Sequence, residues 1–328
     1  MKNTVWFAEL NCEAAFKNHT LTCLKPPMIL PIPSTPEHHC TGDIFYFGFS
    51  IGPHDARMFY GPHHPFVMYG SLSEFTCFGQ FLTDLRILLD WGHEFFAMEE
   101  FRRATELQRP PPYGPVEKNW FVFWDNEDQI YVHHDLYPKR VFTKLHYDGT
   151  VGPNIAHHTA ANDEKCMSKY IPPSVEHQQS THQATNSLSI TLCKRADITC
   201  EKNDSNTVLF HIFQRKTFFN WKTVYDPYVV AFSAKPPFEI YGISSKPFWF
   251  HGRSRPADGL QSDTLLGYTD HTGHDMLYTT SMSWKRAGQK YHGFLDDELF
   301  IGFGIEDKDT AGIDIIAGDL FLDLGLCF

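Results

Sequence analysis

Short runs of β-branched and aromatic residues, separated by turn-forming residues, recur along the whole chain. Examples are "DIFYFGFS", "FVMYG", "TVLFHIF", "YVVAFSA" and "FEIYGIS". Such runs are typical of β-strands, and their spacing favours a sandwich, barrel or propeller over alternating βα units. "FVFWDNEDQIYVHHD" predicts a hairpin that turns at "DNED", and "DMLYTTSMSW" with "ELFIGFGIED" predicts a second pair. We therefore expect an all-β fold.

Two parts of the chain depart from this pattern. Residues 1–42 predict an irregular N-terminal segment tied by disulfides, and the polar, proline-containing residues 148–181 predict a long loop excursion. No shift in composition marks a domain boundary, and large β folds reach this length as one unit. Residues 1–328 are therefore predicted to form a single domain.

The charge and hydropathy of the chain limit the classes of partner that it can bind. A formal net charge of −11 argues against nucleic acid as the main partner, because phosphate backbones need a positive field. No segment predicts a membrane span, since "FLTDLRILLDW" carries charges and "KPPMILPIP" is broken by prolines. Local basic patches still leave room for a small anionic ligand.

The cysteines indicate an oxidising compartment. None of the eight cysteines belongs to a C-x-x-C motif, which argues against both a zinc site and a thioredoxin-like redox site. Disulfides are the better interpretation, with closed loops expected at Cys12–Cys23 and Cys193–Cys200, although eight cysteines allow about 105 connectivities. The alternative is a cytosolic protein with eight reduced, mostly buried cysteines.

Two glycosylation sequons support the secretory interpretation. Asn18 and Asn203 each begin an N-x-S/T triplet within or beside the expected cysteine loops. We therefore expect a glycoprotein that is secreted or resides in the lumen of the secretory pathway. No signal peptide stands at "MKNTVWFAELNC", so we expect a leader or anchor to lie outside this sequence.

Nineteen histidines, several in doublets, raise the possibility of a metal site. None stands with a cysteine or carboxylate at a spacing that specifies one. We expect no obligatory metal and no cofactor.

The stretch "IGPHDARMFYGPHHPFVMYGS" sets Asp55 and Arg57 two positions apart. On a strand, such residues project from the same face. They could form a surface ion pair at a strand entrance or belong to a binding site.

Other polar residues also stand at the ends of aromatic strands. Such clusters suit a sugar-binding cleft, because rings stack on a pyranose while polar groups bind its hydroxyls. For Lys118 the competing interpretation is a surface lysine that extends its head into water. The residues are Lys118, Asn119, His182, Gln183, Asn186, His211, Arg215 and Asp307.

Several of these stretches together resemble one family. "PHDARMFYGPHHPFVMYGS" resembles its E-D-P-R-x-F motif, "EKNWFVFW" its K-N-W strand, and "DDELFIGFGIEDKD" its late segment ending in an aspartate. The family is that of the β-mannoside phosphorylases and related eukaryotic mannosyltransferases. Membership would imply a five-bladed β-propeller with the active site at the central axis. The motif departs at His54, where the family has glutamate, and at Ala56, where it has proline.

The resemblance implies roles for individual residues. Asp55 would be the general acid, or the base in the synthetic direction, and Arg57 would orient it. Lys118 matches the anion-binding lysine of the family, and Asp307 matches its late aspartate by position. In that family the proton can pass through a sugar hydroxyl, so one carboxylate can suffice. Weaker candidates for binding the leaving group are Arg86 and Arg215.

The predicted activity is inverting glycosyl transfer, by resemblance of mannose, between a phosphate-bearing donor and a carbohydrate acceptor, or the reverse phosphorolysis. The donor would be a sugar phosphate or a sugar nucleotide. An inverting glycoside hydrolase is the nearest alternative and needs a second carboxylate about 6.5 to 9.5 Å away, which Asp135 or Asp307 could supply. A non-catalytic sugar-binding propeller is the third possibility, favoured by the altered "HDAR" motif.

Overall fold

The computed structural model describes residues 4–36, 39–89, 100–175, 178–219, 222–251, 253 and 276–328. These residues lie mostly in β-strands with few helices, which confirms the predicted all-β class. They form two compact units, one of residues 1–134 with 141–155, the other of residues 135–140 with 156–328. That residues 1–328 act as one catalytic domain stays a prediction.

The N-terminal part of the first unit consists of short strands and a 3-10 helix over Gly42–Phe49. A hairpin joins β3 to β4, β2 pairs antiparallel with β5, and β1 pairs parallel with β6. The segment that was predicted to be irregular therefore contains several short two-stranded ladders. The strands are β1 (Val5–Trp6), β2 (Leu10–Asn11), β3 (Ala14–Lys17), β4 (Thr20–Cys23), β5 (Met28–Ile29) and β6 (Ser50–Ile51).

A four-stranded antiparallel meander follows in the first unit. It contains β7 (His54–Tyr60), β8 (Pro65–Leu72), β9 (Phe78–Asp84) and β10 (Thr105–Glu106), in the order β10-β9-β8-β7. Every residue of β8 and β9 is buried, as their nearly continuous apolar sequences predict. A single helical turn, α1 (Leu85–Leu88), begins where the Asp84 carboxylate accepts the Arg86 backbone N–H.

The second sheet of this unit confirms the first predicted hairpin. Strands β11 (Phe121–Trp124) and β12 (Ile130–Asp135) pair antiparallel, and β13 (Val141–Lys144) completes the sheet. The turn holds because the Asp125 carboxylate accepts the backbone N–H groups of Glu127 and Gln129, both at 2.9 Å.

The second unit is built on a seven-stranded sheet. Its longest strand pair is the hairpin of β16 and β17, in which Val208 lies opposite Ser233 at one end and Phe219 opposite Lys222 at the other. The strand order is β20-β15-β16-β17-β18-β23, and β14 also pairs with β16. Its strands are β14 (Gln179–Gln183), β15 (Leu188–Thr191), β16 (Thr207–Phe219), β17 (Lys222–Ser233), β18 (Ile240–Ser244), β20 (His292–Phe294) and β23 (Leu324–Leu326).

A separate three-stranded sheet in the second unit confirms the second predicted pair. Strand β19 (Leu277–Trp284) pairs antiparallel with β21 (Glu298–Ile305), which pairs with β22 (Asp309–Ile316). The part of the chain that the structure describes shows no closed sheet. Five blades arranged in a ring therefore stay a prediction.

The predicted loop excursion contains a helix, which corrects that expectation. Helix α2 (Ala160–Tyr170) buries Asp163, Cys166 and Met167 against the second unit, whereas its other positions are largely exposed. Two short 3-10 helices, Ala156–His158 and Ala317–Phe321, complete the helical content seen in the described residues. None of the helices in this part of the chain has the length and apolar character that a membrane crossing requires.

All eight cysteines lie at disulfide distance from a partner. The pairs are Cys12–Cys23, Cys40–Cys77, Cys166–Cys327 and Cys193–Cys200. The first and last close the two loops that the sequence predicted, and the sequon residues Asn18 and Asn203 are both exposed.

Differential alkylation tests these pairs. In protein made in an oxidising host and denatured without reductant, we expect no cysteine to react, and after reduction all eight should react, because no cysteine is free. Mass spectrometry of the intact protein gives the count. Alkylation of most cysteines before reduction would contradict the pairing and the secretory interpretation.

Candidate functional site

A small cavity in the first unit opens among β7, β8, β9 and the residues that enter β11. It brings together four residues that the sequence proposed for the site. Its lining consists of Asp55, Arg57, Met68, Gly70, Phe78, Gln80, Lys118, Asn119 and Phe121. Residues separated by more than 60 positions thus meet at one surface.

Asp55 reaches the cavity from a β-bulge. In the β7–β8 ladder His54 pairs with Gly70 and Arg57 with Met68, so two residues of β7 stand opposite one residue of β8. Asp55 has a φ of 55°, a left-handed conformation that Asp and Asn tolerate better than most residues. The bulge turns the exposed Asp55 side chain out of the ordinary alternation of the strand.

Arg57 and Asn119 form the link between the two sheets at the cavity. The Arg57 guanidinium donates to the Asn119 side-chain oxygen at 3.1 Å and lies 5.3 Å from the centroid of the Phe121 ring. Asn119 also has a left-handed backbone, with a φ of 63°. Arg57 is thus held toward the residues that enter β11 by its bond to Asn119.

The charges of the cavity suit a ligand with both hydroxyl groups and negative charge. Lys118 is exposed beside Asn119, so its ammonium and the Arg57 guanidinium supply two positive charges near one carboxylate. A guanidinium and an ammonium are common phosphate ligands, and carboxylates and amides bind sugar hydroxyls. The Phe78 and Phe121 rings add apolar surface of the kind that packs against a pyranose.

The aromatic wall next to Asp55 includes His54. The His54 ring lies 4.3 Å from Phe7 and 5.5 Å from Phe78, measured between centroids. Burial lowers the pKa of His54 below its ordinary value, and the negative charge of Asp55 partly opposes this. His54, which stands where the resembled motif has a carboxylate, is therefore a mostly neutral ring at neutral pH.

Arg86 lies outside the lining of this cavity, and its role in binding the leaving group stays a prediction. Its Nη2 donates to the Asp84 carboxylate at 2.7 Å, and its Nε donates to the same group at 3.0 Å. The two side chains are 9% and 2% exposed. The buried pair anchors the chain at the end of β9 and leaves the guanidinium engaged with Asp84.

The other two proposed carboxylates belong to the second unit, apart from this lining. Asp135 is half-buried at the end of β12. Asp307 is exposed in the turn between β21 and β22, with a φ of 51°. Burial raises the pKa of Tyr225 to about 12, with smaller contributions from Tyr278 and Asp307.

Three polar residues proposed for sugar binding make internal contacts in the second unit. The His182 Nε2 atom and the Ser180 hydroxyl form a hydrogen bond of 2.8 Å. The Tyr278 hydroxyl donates a hydrogen bond to the Gln183 backbone carbonyl at 3.4 Å. Asn186 donates to the Met282 carbonyl and accepts the Met282 N–H, at 3.1 and 2.9 Å. Asn186 thereby ties the chain before β15 to β19. The sugar-binding role proposed for these three residues stays a prediction.

His211 and Arg215 are also held within the second unit. Burial, aided by the positive charge of Arg140, lowers the pKa of His211 to about 3, so its imidazole is neutral. Arg215 donates to the Pro173 carbonyl at 2.8 Å and to the Gln179 side chain. Neither residue lines the cavity in the first unit.

Sequence reasoning missed two polar residues at or near the cavity. Gln80 is a 6% exposed amide inside the apolar strand "FGQFLTD", and a buried polar residue in such a strand is a recognisable signal. Glu9, whose carboxylate accepts the Ala56 N–H at 3.1 Å, gives no such signal because its position depends on the pairing of the N-terminal segment. Within the described residues, no group of three or more His, Cys, Asp or Glu is placed to hold a metal ion.

Comparison with known proteins adds little to this geometry. No protein-family model and no curated protein matches the chain. Among solved structures the chain is similar to a glycosyl hydrolase from Bacteroides ovatus, at 8% identity and a TM-score of 0.29, over 80% of this chain and 83% of that one. A TM-score of this size does not establish a common fold, so the functional assignment has to rest on the cavity.

Proposed function

We propose that this protein is a carbohydrate-active enzyme that transfers a glycosyl group, with inversion, between a phosphate-bearing donor and a carbohydrate acceptor. The observation that carries the proposal is the meeting of Asp55, Arg57 and Lys118 at one cavity. A carboxylate can move a proton, and two cations can hold a phosphate that leaves or attacks.

The reaction assigns one task to each group. In the synthetic direction Asp55 takes the proton of an acceptor hydroxyl, whose oxygen bonds to the anomeric carbon opposite the phosphate. The bond between that carbon and the phosphate oxygen breaks, and the phosphate leaves with the electron pair. Arg57 and Lys118 stabilise its charge. In phosphorolysis the same steps run backwards, and protonated Asp55 gives its proton to the departing sugar oxygen.

The identity of the transferred sugar and the complete fold are proposed from the sequence. The "HDAR" and "EKNW" stretches, which resemble the β-mannoside phosphorylase family, contribute all four of the polar cavity residues proposed from sequence. We therefore propose mannose as the transferred sugar and a five-bladed propeller as the complete fold. The four disulfides and two exposed sequons support residence in the secretory pathway.

The cavity also bears on the two alternatives. An inverting hydrolase needs a second carboxylate to activate water, and Asp55 is the one carboxylate among the described residues that line the cavity. The two cations favour a phosphate co-substrate instead. A non-catalytic sugar-binding protein is favoured by His54, which replaces the motif carboxylate.

A donor panel separates these functions. The protein is incubated with mannose 1-phosphate, glucose 1-phosphate and sugar nucleotides, with and without oligosaccharide acceptors, and released phosphate or nucleotide is measured. Transfer predicts release that depends on the acceptor. Release of free sugar from oligosaccharides without phosphate would support a hydrolase, and sugar binding without turnover would support a binding protein.

Lys118→Ala is expected to weaken binding of mannose 1-phosphate about 10-fold and binding of neutral mannose much less. The reason is that the ammonium supplies a charge to the phosphate, an interaction worth about 1.5 to 3 kcal/mol, reduced here by solvent exposure. Calorimetric titration of both ligands measures the difference. Lys144→Ala, at an exposed lysine on β13, is the matched control. Equal losses for the two ligands would show that Lys118 does not bind the anion.

A further inference from the structure

The N-terminal segment runs directly along the strand that carries Asp55. Strand β1 pairs with β6 in parallel, and the Phe7 N–H donates to the Ile51 carbonyl at 2.8 Å. The Phe7 ring then rests on His54, the neighbour of Asp55. Residues 5–7 therefore lie against the chain that leads into the Asp55 bulge.

Gly52 shows how close this approach is. Its φ is +114°, and a Cβ there would lie 2.3 Å from the Phe7 carbonyl oxygen. Only glycine accommodates both the backbone conformation and the contact. The segment is thus docked by main-chain contacts immediately before the bulge.

Glu9 adds a side-chain contact between the N-terminal segment and β7. Because two residues of β7 face one of β8 at the bulge, the regular ladder is interrupted at Asp55 and Ala56. The Ala56 N–H donates instead to the Glu9 carboxylate at 3.1 Å. A side chain from a distant segment therefore supplies the acceptor at the residue that directly follows Asp55.

Glu9 is itself held in place. Its carbonyl accepts the Leu30 N–H at 2.9 Å, next to the ladder of β2 with β5. Burial raises the pKa of the Glu9 carboxyl group, the bond from Ala56 opposes this rise, and the charge of Asp55 adds to it.

We infer that Glu9 is a positioning residue for Asp55: by accepting the Ala56 N–H, it fixes the bulge that presents the Asp55 carboxylate to the cavity. The inference deepens the proposed function and rests on it for the catalytic role of Asp55. Glu9 is not among the cavity-lining residues, so it acts through the backbone of β7 and does not touch the substrate.

Three variants test this role in the full chain. Glu9→Ala removes the acceptor, Glu9→Gln keeps a side-chain oxygen that can accept the same N–H, and Glu13→Ala changes an exposed glutamate of the same segment as a control. Two quantities are measured: hydrogen exchange of the Ala56 amide by NMR, and kcat and KM for mannose 1-phosphate.

In Glu9→Ala the Ala56 amide should exchange about 10-fold faster, because it loses a bond to a charged acceptor. The kcat should fall about 10²-fold through misplacement of Asp55, with little change in KM. Glu9→Gln should restore most of both quantities, and Glu13→Ala should alter neither. Amide exchange in β8 serves as the check that the meander stays folded.

Unchanged Ala56 exchange in Glu9→Ala would overturn the inference, as would a Glu9→Gln variant as impaired in kcat as Glu9→Ala. Absence of transfer by the unmodified protein is a different result, because it would refute the proposed function. The exchange of Ala56 would still decide whether Glu9 holds the bulge.

Discussion

Asp55→Asn should lower turnover by about 10²- to 10⁴-fold and leave the melting temperature nearly unchanged. Asparagine keeps the shape of the side chain and tolerates the left-handed backbone at this position, but it cannot accept or release the proton that the reaction moves. Because Asp55 is exposed and makes no hydrogen bond within the described residues, its loss removes little from the folded state.

The contrary case is a purely structural Asp55. An ion pair with Arg57 at the surface would contribute about 0 to 1 kcal/mol to stability, and its loss would spare activity. Turnover and thermal unfolding of Asp55→Asn are therefore measured together. Asp128→Asn, which removes an exposed carboxylate paired with His63 in the same unit, is the control. Full activity in Asp55→Asn would refute the proposed acid–base role.

Asp163→Ala should destabilise the second unit by about 3 to 5 kcal/mol, the usual result of removing one partner from a buried ion pair. Asp163 and Arg140 are each 2% exposed, and Arg140 Nη1 donates to the Asp163 carboxylate at 2.9 Å. The same carboxylate accepts the Thr159 hydroxyl at 2.7 Å and the Ile240 N–H at 2.9 Å. Its removal leaves a buried guanidinium without this counter-charge and takes the acceptor from the buried Ile240 N–H, whereas the Thr159 hydroxyl can still donate to the Ala156 carbonyl at 3.3 Å.

Urea unfolding, followed by tryptophan fluorescence, measures this loss. Asp128→Asn removes a carboxylate that is 52% exposed, keeps a residue type that tolerates the left-handed backbone at this position, and should change the free energy of unfolding by no more than about 1 kcal/mol. A similar small change in Asp163→Ala would show that the buried pair contributes no more than a surface pair.

The sequence predicted the strands better than the long connections between them. Aromatic and β-branched runs such as "FVMYG" stay strands because they can be buried on both faces, and the "DNED" turn forms from the local bonds of Asp125. Helix α2 was missed because its sequence, "AANDEKCMSKY", is mostly polar. It is held by the buried Asp163 and the Cys166–Cys327 pair, which are long-range features.

The site was predictable where its residues share one local motif. Asp55 with Arg57, and Lys118 with Asn119, are neighbours in sequence, and the resemblance proposed both pairs. The supporting residues were not predictable, since Glu9 reaches Ala56 only through pairing of the N-terminal strands. Arg86 was proposed for the leaving group from the resemblance. In the structure it pairs with Asp84, two residues away, and lies outside the cavity lining.

A structure of the Asp55→Asn variant crystallised with mannose 1-phosphate tests the central claim most directly. The variant should bind the donor without consuming it. The proposal predicts the phosphate within hydrogen-bonding distance of Arg57 and Lys118, with the anomeric carbon facing the side chain at position 55. A sugar phosphate bound elsewhere, or an empty cavity at saturating ligand, would contradict it.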